Sequence, residues 1–148
     1  MSKADEVSFA TTRHIRDHCL CLHVQRAARM VARRFDDALR PLGLTNGQFS
    51  LLMSLNRAEP ATMGATAALL AMDRTTLTAA LKPLQRTGFV EVTIDPADRR
   101  SRQLKLTRAG KLLLASAVPI WKHTHAEIER LLDGRNPEML RQELRVLS

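Results

Sequence analysis

Ala71-Met72-Asp73-Arg74-Thr75-Thr76-Leu77-Thr78-Ala79-Ala80-Leu81-Lys82-Pro83-Leu84 and, downstream of it, Asp95-Pro96-Ala97-Asp98-Arg99-Arg100-Ser101-Arg102 decide the fold. The first stretch reads as a helix with hydroxyl and basic side chains over its opening turns. Asp73 is a good N-cap for it, because a carboxylate accepts from the free N–H groups of a first turn. The second stretch reads as the basic tip of a hairpin. A helix that fits a major groove, followed by a ribbon that reaches a minor groove, is a winged helix-turn-helix.

The segments around this core agree with it. Leu20, Val24, Ala27, Val31, Phe35 and Ala38 recur at spacings of three and four, which predicts a helix from Asp17 to Arg40. Arg26, Arg29, Arg33, Arg34 and Arg40 decorate the rest of that helix, and Pro41-Leu42-Gly43 breaks it. Thr45-Asn46-Gly47-Gln48 is a capping box that opens a short helix carrying Phe49, Leu52, Met53 and Leu55. Glu59-Pro60 ends that segment, and an alanine-rich helix follows from about Gly64 to Leu70. The helix that opens after Asp73 stops at Gly88, with Pro83 bending it. Val90, Val92 and Ile94 alternate with polar residues, and Leu104 and Leu106 repeat the pattern on a return strand. Thr107 caps a long helix to about Leu132, kinked at Pro119. Asn136-Pro137 starts a last helix with Leu140, Leu144 and Leu147. The expected class is mainly α with a small β-hairpin. Residues 1–16 read as a flexible arm, 45–106 as the winged helix-turn-helix, and 17–44 with 107–148 as a helical dimerisation layer.

Composition narrows the partner. The chain has 148 residues, enough for one domain plus an accessory layer. Lys and Arg number 23 against 15 Asp and Glu, a net charge of +8, which suits a polyanion. The excess is mostly Arg, whose planar fork suits phosphates and narrow grooves better than Lys. Aromatics are 3% and Tyr is absent, so the core must be aliphatic. No apolar run approaches the roughly 20 residues of a membrane span. Met1–Glu6 lacks the apolar core of a signal peptide, so a cytoplasmic location is expected. There, Cys19 and Cys21 are thiols and not a disulfide.

The residues that carry a family resemblance run through most of the chain. They are Leu42-Gly43-Leu44-Thr45 with Gln48-Phe49, Thr76-Leu77-Thr78, Leu84-Gln85-Arg86-Thr87-Gly88-Phe89-Val90, the wing Asp95 to Ser101, and Leu106-Thr107-Arg108-Ala109-Gly110. Over roughly residues 17–147 the sequence resembles the MarR family of bacterial transcription regulators. That resemblance implies a triangular homodimer whose first and last helices interleave, with a winged helix at each of two corners. It implies a repressor on a pseudo-palindromic DNA site, its two reading helices about 34 Å apart. It also implies release by a small ligand, and a winged-helix protein-interaction module is the alternative.

Arg74, Thr75, Thr76 and Thr78 are the candidate base and phosphate contacts of the helix. Lys82 and Arg86 touch phosphate or only solvent. Arg99, Arg100 and Arg102 are the candidate contacts of the wing. The resemblance puts Arg100 at the tip, in the minor groove. Asp98 is expected to hold one neighbouring arginine by a forked ion pair.

An effector has fewer markers. The resemblance places aromatic or amphipathic acids in a cleft between dimer core and winged helix. Arg29, Phe49, Met53 and Trp121 are candidate lining, with plain core packing the alternative role of the apolar members. Leu20-Cys21, Ala27-Ala28-Arg29, Phe35 and Leu44-Thr45 resemble the organic-hydroperoxide sensors of the family. Cys21 falls on their reactive cysteine, which makes a thiol-based peroxide-sensing repressor a further alternative. Gln25, Phe35 and Asn46 occupy the places of the tyrosines that serve the thiol there.

His14, His18 and Cys21 share a helical stripe, as do Cys19 and His23. His123 and His125 lie far along the chain, and no acidic or paired histidine completes a tetrahedral set. No metal and no cofactor are expected. Nor does the chain show a nucleophile–base–orienter set, a Gly-rich phosphate loop or paired carboxylates, so it is not read as an enzyme.

Overall fold

The computed structural model describes residues 6–148, and the chain divides into two units, 1–33 and 34–148. In the first unit, α1 (Phe9–His18) starts on Ser8, whose hydroxyl accepts from the Thr11 N–H at 3.1 Å. α2 (Leu20–Leu39) begins after a single extended residue, Cys19 (φ −67°, ψ 109°). The Cys19 N–H still donates to Ile15, which closes α1. Its sulfur accepts from the Leu22 N–H at 3.5 Å, in the place of a capping oxygen. Two expectations are corrected here. The arm placed at 1–16 is helical from Phe9 on, because Ser8 supplies a cap; its first five residues lie outside the described part. The one helix expected from Asp17 to Arg40 is two, because Cys19 terminates one and opens the next.

The second unit holds the core. The Thr45 capping box is present in full and opens α3 (Asn46–Leu55). Asp36 Oδ1 accepts from both the backbone N–H and the side-chain amide of Asn46, at 2.7 and 2.8 Å. These bonds, the backbone one foremost, hold the Asp36 carboxyl below the usual carboxylate range. β1 (Ala61–Thr62) leads into α4 (Met63–Leu70), and α5 (Arg74–Arg86) follows after a short turn. In that turn Ala71 takes the left-handed conformation at φ 51°, a position where glycine is more usual.

β2 (Val90–Ile94) pairs antiparallel with β3 (Arg102–Leu106), in the register Val90↔Leu106 to Ile94↔Arg102. β1 adds to the other edge of β3, with Ala61 opposite Leu104, so the order is β1-β3-β2. The expected two-strand hairpin is therefore a three-stranded sheet. A pair of residues is too short to show a period of two, and Pro60 before it removes a backbone donor.

α6 (Arg108–Arg130) starts on Thr107 and α7 (Pro137–Val146) on Asn136, both as expected from their caps. Pro83 and Pro119 lie inside α5 and α6 without ending them. One aliphatic cluster joins these elements: Leu39, Leu51, Leu52, Leu77, Leu84 and Leu104 are buried in it together with Leu114 and Ala117 of α6. Leucine dominates because the sequence has few aromatics to offer.

Candidate nucleic-acid interface

α5 is aimed by its apolar side. Leu77, Leu81 and Leu84 recur at four and three residues and are at most 2% exposed, so the opposite face of α5 is in solvent. Asp73 fixes its start. Its Oδ1 accepts from the Thr76 N–H at 2.7 Å and its Oδ2 from the Thr76 hydroxyl at 3.0 Å. The backbone bond, then the hydroxyl, hold the Asp73 carboxyl below the usual carboxylate range. Stabilisation from a depressed carboxylate is present above the unfolded value of about 3.9 and disappears as pH falls through the lower folded value. Asp73→Ala is expected to lower the melting temperature by a few degrees at neutral pH. Asp73→Asn keeps the cap and flattens the acid limb of a plot of melting temperature against pH. A Tm in the alanine variant equal to the parent's at neutral pH would show the cap to be idle.

The three threonines of the helix differ. Thr76 has its hydroxyl hydrogen engaged by Asp73, and the Thr78 hydroxyl donates to the Arg74 carbonyl at 2.8 Å. Thr75 has no side-chain hydrogen bond among the described residues, so its hydroxyl is free to donate outward.

The wing is a turn held by its carboxylates. Asp95 Oδ1 accepts from the Ala97 N–H at 2.9 Å, and Asp98 Oδ1 from the Arg100 N–H at 3.0 Å. The Asp98–arginine ion pair expected from the sequence is absent among the described residues. Asp98 instead bonds the backbone two residues on, the local geometry that short acids adopt in turns. Arg102 Nη1 donates to the carbonyls of Arg99 and Ser101 at 3.3 and 3.4 Å, which fixes that guanidinium to the turn. Arg99 and Arg100 are exposed beside it.

Helix and wing meet at a cleft of about 180 Å³ lined by Met63, Arg74, Thr78, Arg100 and Arg102. Thus four of the expected contact residues converge there, together with Met63, which nothing in the sequence marked. Lys82 and Arg86 line a separate open hollow near the end of α5 with Gln85.

Of the expected effector residues, Arg29 belongs to the first unit, and Phe49 and Met53 on α3 with Trp121 on α6 to the second. Arg29 lies on α2, with Nη2 donating to Gln25 Oε1 at 3.3 Å. In the second unit, Phe49 packs against the core, Met53 is 48% exposed, and Trp121 stacks on His125 at 4.7 Å. An open cleft of about 390 Å³ in that unit is lined instead by Arg34, Asp37, Ala38, Thr124, Glu127 and Ile128. Cys21 is exposed and accepts from the Gln25 amide at 3.2 Å. Among the described residues no His, Cys, Asp and Glu group is placed to hold a metal ion, and no helix is long and apolar enough to cross a membrane.

Comparison with known proteins agrees with this geometry. Residues 44–101 match the MarR family. The Rhodopseudomonas palustris transcriptional activatory protein BadR is 32% identical over 95 residues, which are 62% of this chain and 54% of that protein. The chain therefore aligns with about half of that relative's length. The DNA complex of the M. tuberculosis transcriptional regulator MosR is 38% identical, with a TM-score of 0.78, over 87% of this chain and 93% of that one. CouR from Rhodococcus jostii, solved with p-coumaroyl-CoA, is 25% identical with a TM-score of 0.72, over 88% of this chain and 90% of that one. These relatives are transcriptional regulators and not enzymes. The winged-helix elements, the basic cleft between α5 and the wing, and these similarities together show that the chain belongs to the MarR family of transcriptional regulators.

Proposed function

We propose that the protein is a homodimeric, sequence-specific DNA-binding repressor that acts in the cytoplasm and is released by a small ligand. The observation that carries the DNA-binding part is the convergence of Arg74 from α5 with Arg100 and Arg102 from the wing on one cleft. The likeness to a regulator solved on DNA favours this reading over a protein-interaction module. The dimer is supported by the exposed apolar side chains of α7, where Met139, Leu140 and Leu144 are 40–58% exposed. The ligand part rests on the likeness to CouR with its acyl-CoA. An aromatic or amphipathic acid is the proposed class, with Arg29, Phe49, Met53 and Trp121 its candidate contacts. Binding would shift the population between DNA-competent and incompetent spacings of the two reading helices.

Arg74, Thr75, Thr76 and Thr78 are proposed to serve the major groove, Arg99, Arg100 and Arg102 the wing contact, and Lys82 and Arg86 the flanking phosphates. The test is fluorescence anisotropy on duplex DNA from upstream of the protein's own gene. Arg100→Ala is expected to weaken binding by about 1–3 kcal/mol, roughly 5- to 150-fold, with a shallower salt dependence. Parental affinity in that variant would remove Arg100 from the interface.

One observation favours a thiol-based sensor using Cys21. Gln25, at a position where hydroperoxide sensors carry a tyrosine, donates to the sulfur and is itself bonded by Arg29. The same assay with an organic hydroperoxide separates the readings. Loss of binding restored by thiol supports Cys21 as the sensor, and unchanged binding excludes it.

A further inference from the structure

We propose that the cleft of about 390 Å³ between the C-terminal half of α2 and α6 is a binding site for a free α-amino acid with an aliphatic side chain. The inference goes beyond the DNA-binding reading and does not depend on it. It also goes beyond the effector contacts proposed above, since Phe49, Met53 and Trp121 are not in the lining. The cleft is formed wholly within the second unit, by residues 34–38 and 124–128.

A nearly buried hydroxyl marks the site. Thr124 is 5% exposed, yet its side chain makes no hydrogen bond among the described residues. Hydroxyls at other helical positions are engaged: those of Thr66, Thr78, Thr87 and Ser116 each donate to the carbonyl four residues back. Among the described residues no buried polar side-chain atom is sealed off without a partner. The Thr124 hydroxyl therefore keeps an opening, and the cleft is the opening that it lines. Buried polar groups are ordinarily hydrogen-bonded, so the partner of this one belongs in the cleft.

Charge selects the class of occupant. Among the described residues Arg34 makes neither an ion pair nor a hydrogen bond, whereas Arg40 on the same side of the chain's bend is bound to Asp37. Asp37 accepts from Arg40 through Oδ1 only, which leaves Oδ2 without a hydrogen bond. Glu127 accepts no hydrogen bond, with His123 and Arg130 standing 3.5 and 4.0 Å from its Oε1. The lining thus offers one free guanidinium, two carboxylates with oxygens to spare and one free hydroxyl.

A plain carboxylic acid suits Arg34 but meets two like charges. A plain amine suits the two acids but meets Arg34. An α-amino acid answers both: its carboxylate takes the guanidinium fork, and its ammonium, with three donors, takes Asp37 and Glu127. The Thr124 hydroxyl can donate to the one or accept from the other. Ala38 and Ile128 supply apolar surface for an aliphatic side chain. The volume falls in the roughly 300–1,000 Å³ range of small-molecule sites.

The test is isothermal titration calorimetry of the full chain, without DNA, against L-leucine, L-valine and L-isoleucine at millimolar concentration. Isocaproate, which is leucine without its amine, and isoamylamine, which is leucine without its carboxylate, are the controls. Binding of at least one amino acid, with neither control bound, is the expected result. Arg34→Gln is expected to weaken that binding about 10- to 100-fold, the range for a lost hydrogen bond between charged groups. Thr124→Val is expected to weaken it about 2- to 10-fold, the range for a neutral hydrogen bond. The same variant should melt no lower than the parent, because it removes a hydroxyl that nothing in the chain satisfies. Its loss of binding is then no folding defect. Absence of binding by all three amino acids, or equal binding of either control, would overturn the site. So would parental affinity in Arg34→Gln, or a lowered melting temperature in Thr124→Val, which would place the partner of the hydroxyl inside the fold.

Discussion

Gly110→Ala is expected to destabilise the protein by about 2–4 kcal/mol, the combined cost of overpacking and of a disturbed hydrogen bond. Gly110 sits in the first turn of α6, and a Cβ there would overlap the Phe89 carbonyl oxygen and lie 3.1 Å from its carbon. Neither atom can yield cheaply. The same oxygen accepts from the Thr107 N–H at 3.1 Å, and the Thr107 hydroxyl donates to Gly88 at 2.6 Å. These bonds clamp the start of α6 to the junction between α5 and β2. A methyl group at position 110 must push the two apart, moving the wing strands relative to the helix they follow. The melting temperature should fall by about 6–15 °C. Gly64→Ala is the contrast, because a Cβ at Gly64 meets nothing within 4 Å. There the exchange should stabilise by about 0.5–1 kcal/mol, through helix propensity and a less flexible unfolded chain. Thermal melts of the two variants should move in opposite directions. If Gly110→Ala melts with the parent, the tight approach of α6 to Phe89 does not exist in solution.

Leu77→Ala is expected to cost about 2–5 kcal/mol, the range for a fully buried leucine truncated to leave a cavity. Leu77 is 0% exposed and lies directly between Thr76 and Thr78 on α5. It is therefore the residue that converts core packing into the direction of the exposed face. Since a domain has only about 5–15 kcal/mol of net stability, the loss is a large fraction of the whole. Denaturant melts should show a lower midpoint with an unchanged slope. Below its melting temperature the variant should also bind DNA more weakly, although no atom of Leu77 is free to touch it. Leu77→Met, close in volume, should cost less than about 1.5 kcal/mol. Equal destabilisation in both variants would mean that shape, and not the cavity, sets the cost at this site.

How much of the structure is legible in the sequence varies with how local the cause is. Thr45, Asp73, Thr107 and Asn136 each open the helix expected of them, because a cap needs only its own side chain and the next turn. Val90–Ile94 and Arg102–Leu106 pair as expected, because alternation marks a half-buried strand. The break at Cys19 is hidden because sulfur is a rare cap, and because the apolar pattern runs on through it. Ala61–Thr62 is hidden because β3, far along the chain, creates that strand by pairing with it. Charge alone pairs Asp98 with an arginine side chain, yet the turn presents it with a nearer backbone donor. Of the candidate interface, the residue types and their two segments are visible in the sequence. That Thr76 and Thr78 have their hydroxyl hydrogens engaged within the helix is not, since this depends on where each falls in the turn.

The sequence by itself determined the order of α3 to α7 with β2 and β3, the caps at Thr45, Asp73, Thr107 and Asn136, the aliphatic character of the core and the positive charge of helix and wing. Each follows from short-range spacing or from composition, which survive without knowledge of distant contacts. Only the tertiary structure decided that Arg74, Arg100 and Arg102 border one cleft with Met63, and that Gly110 must lack a side chain. These depend on how Leu77, Leu84 and Leu104 pack into a common core, which brings side chains from distant parts of the chain within reach of one another.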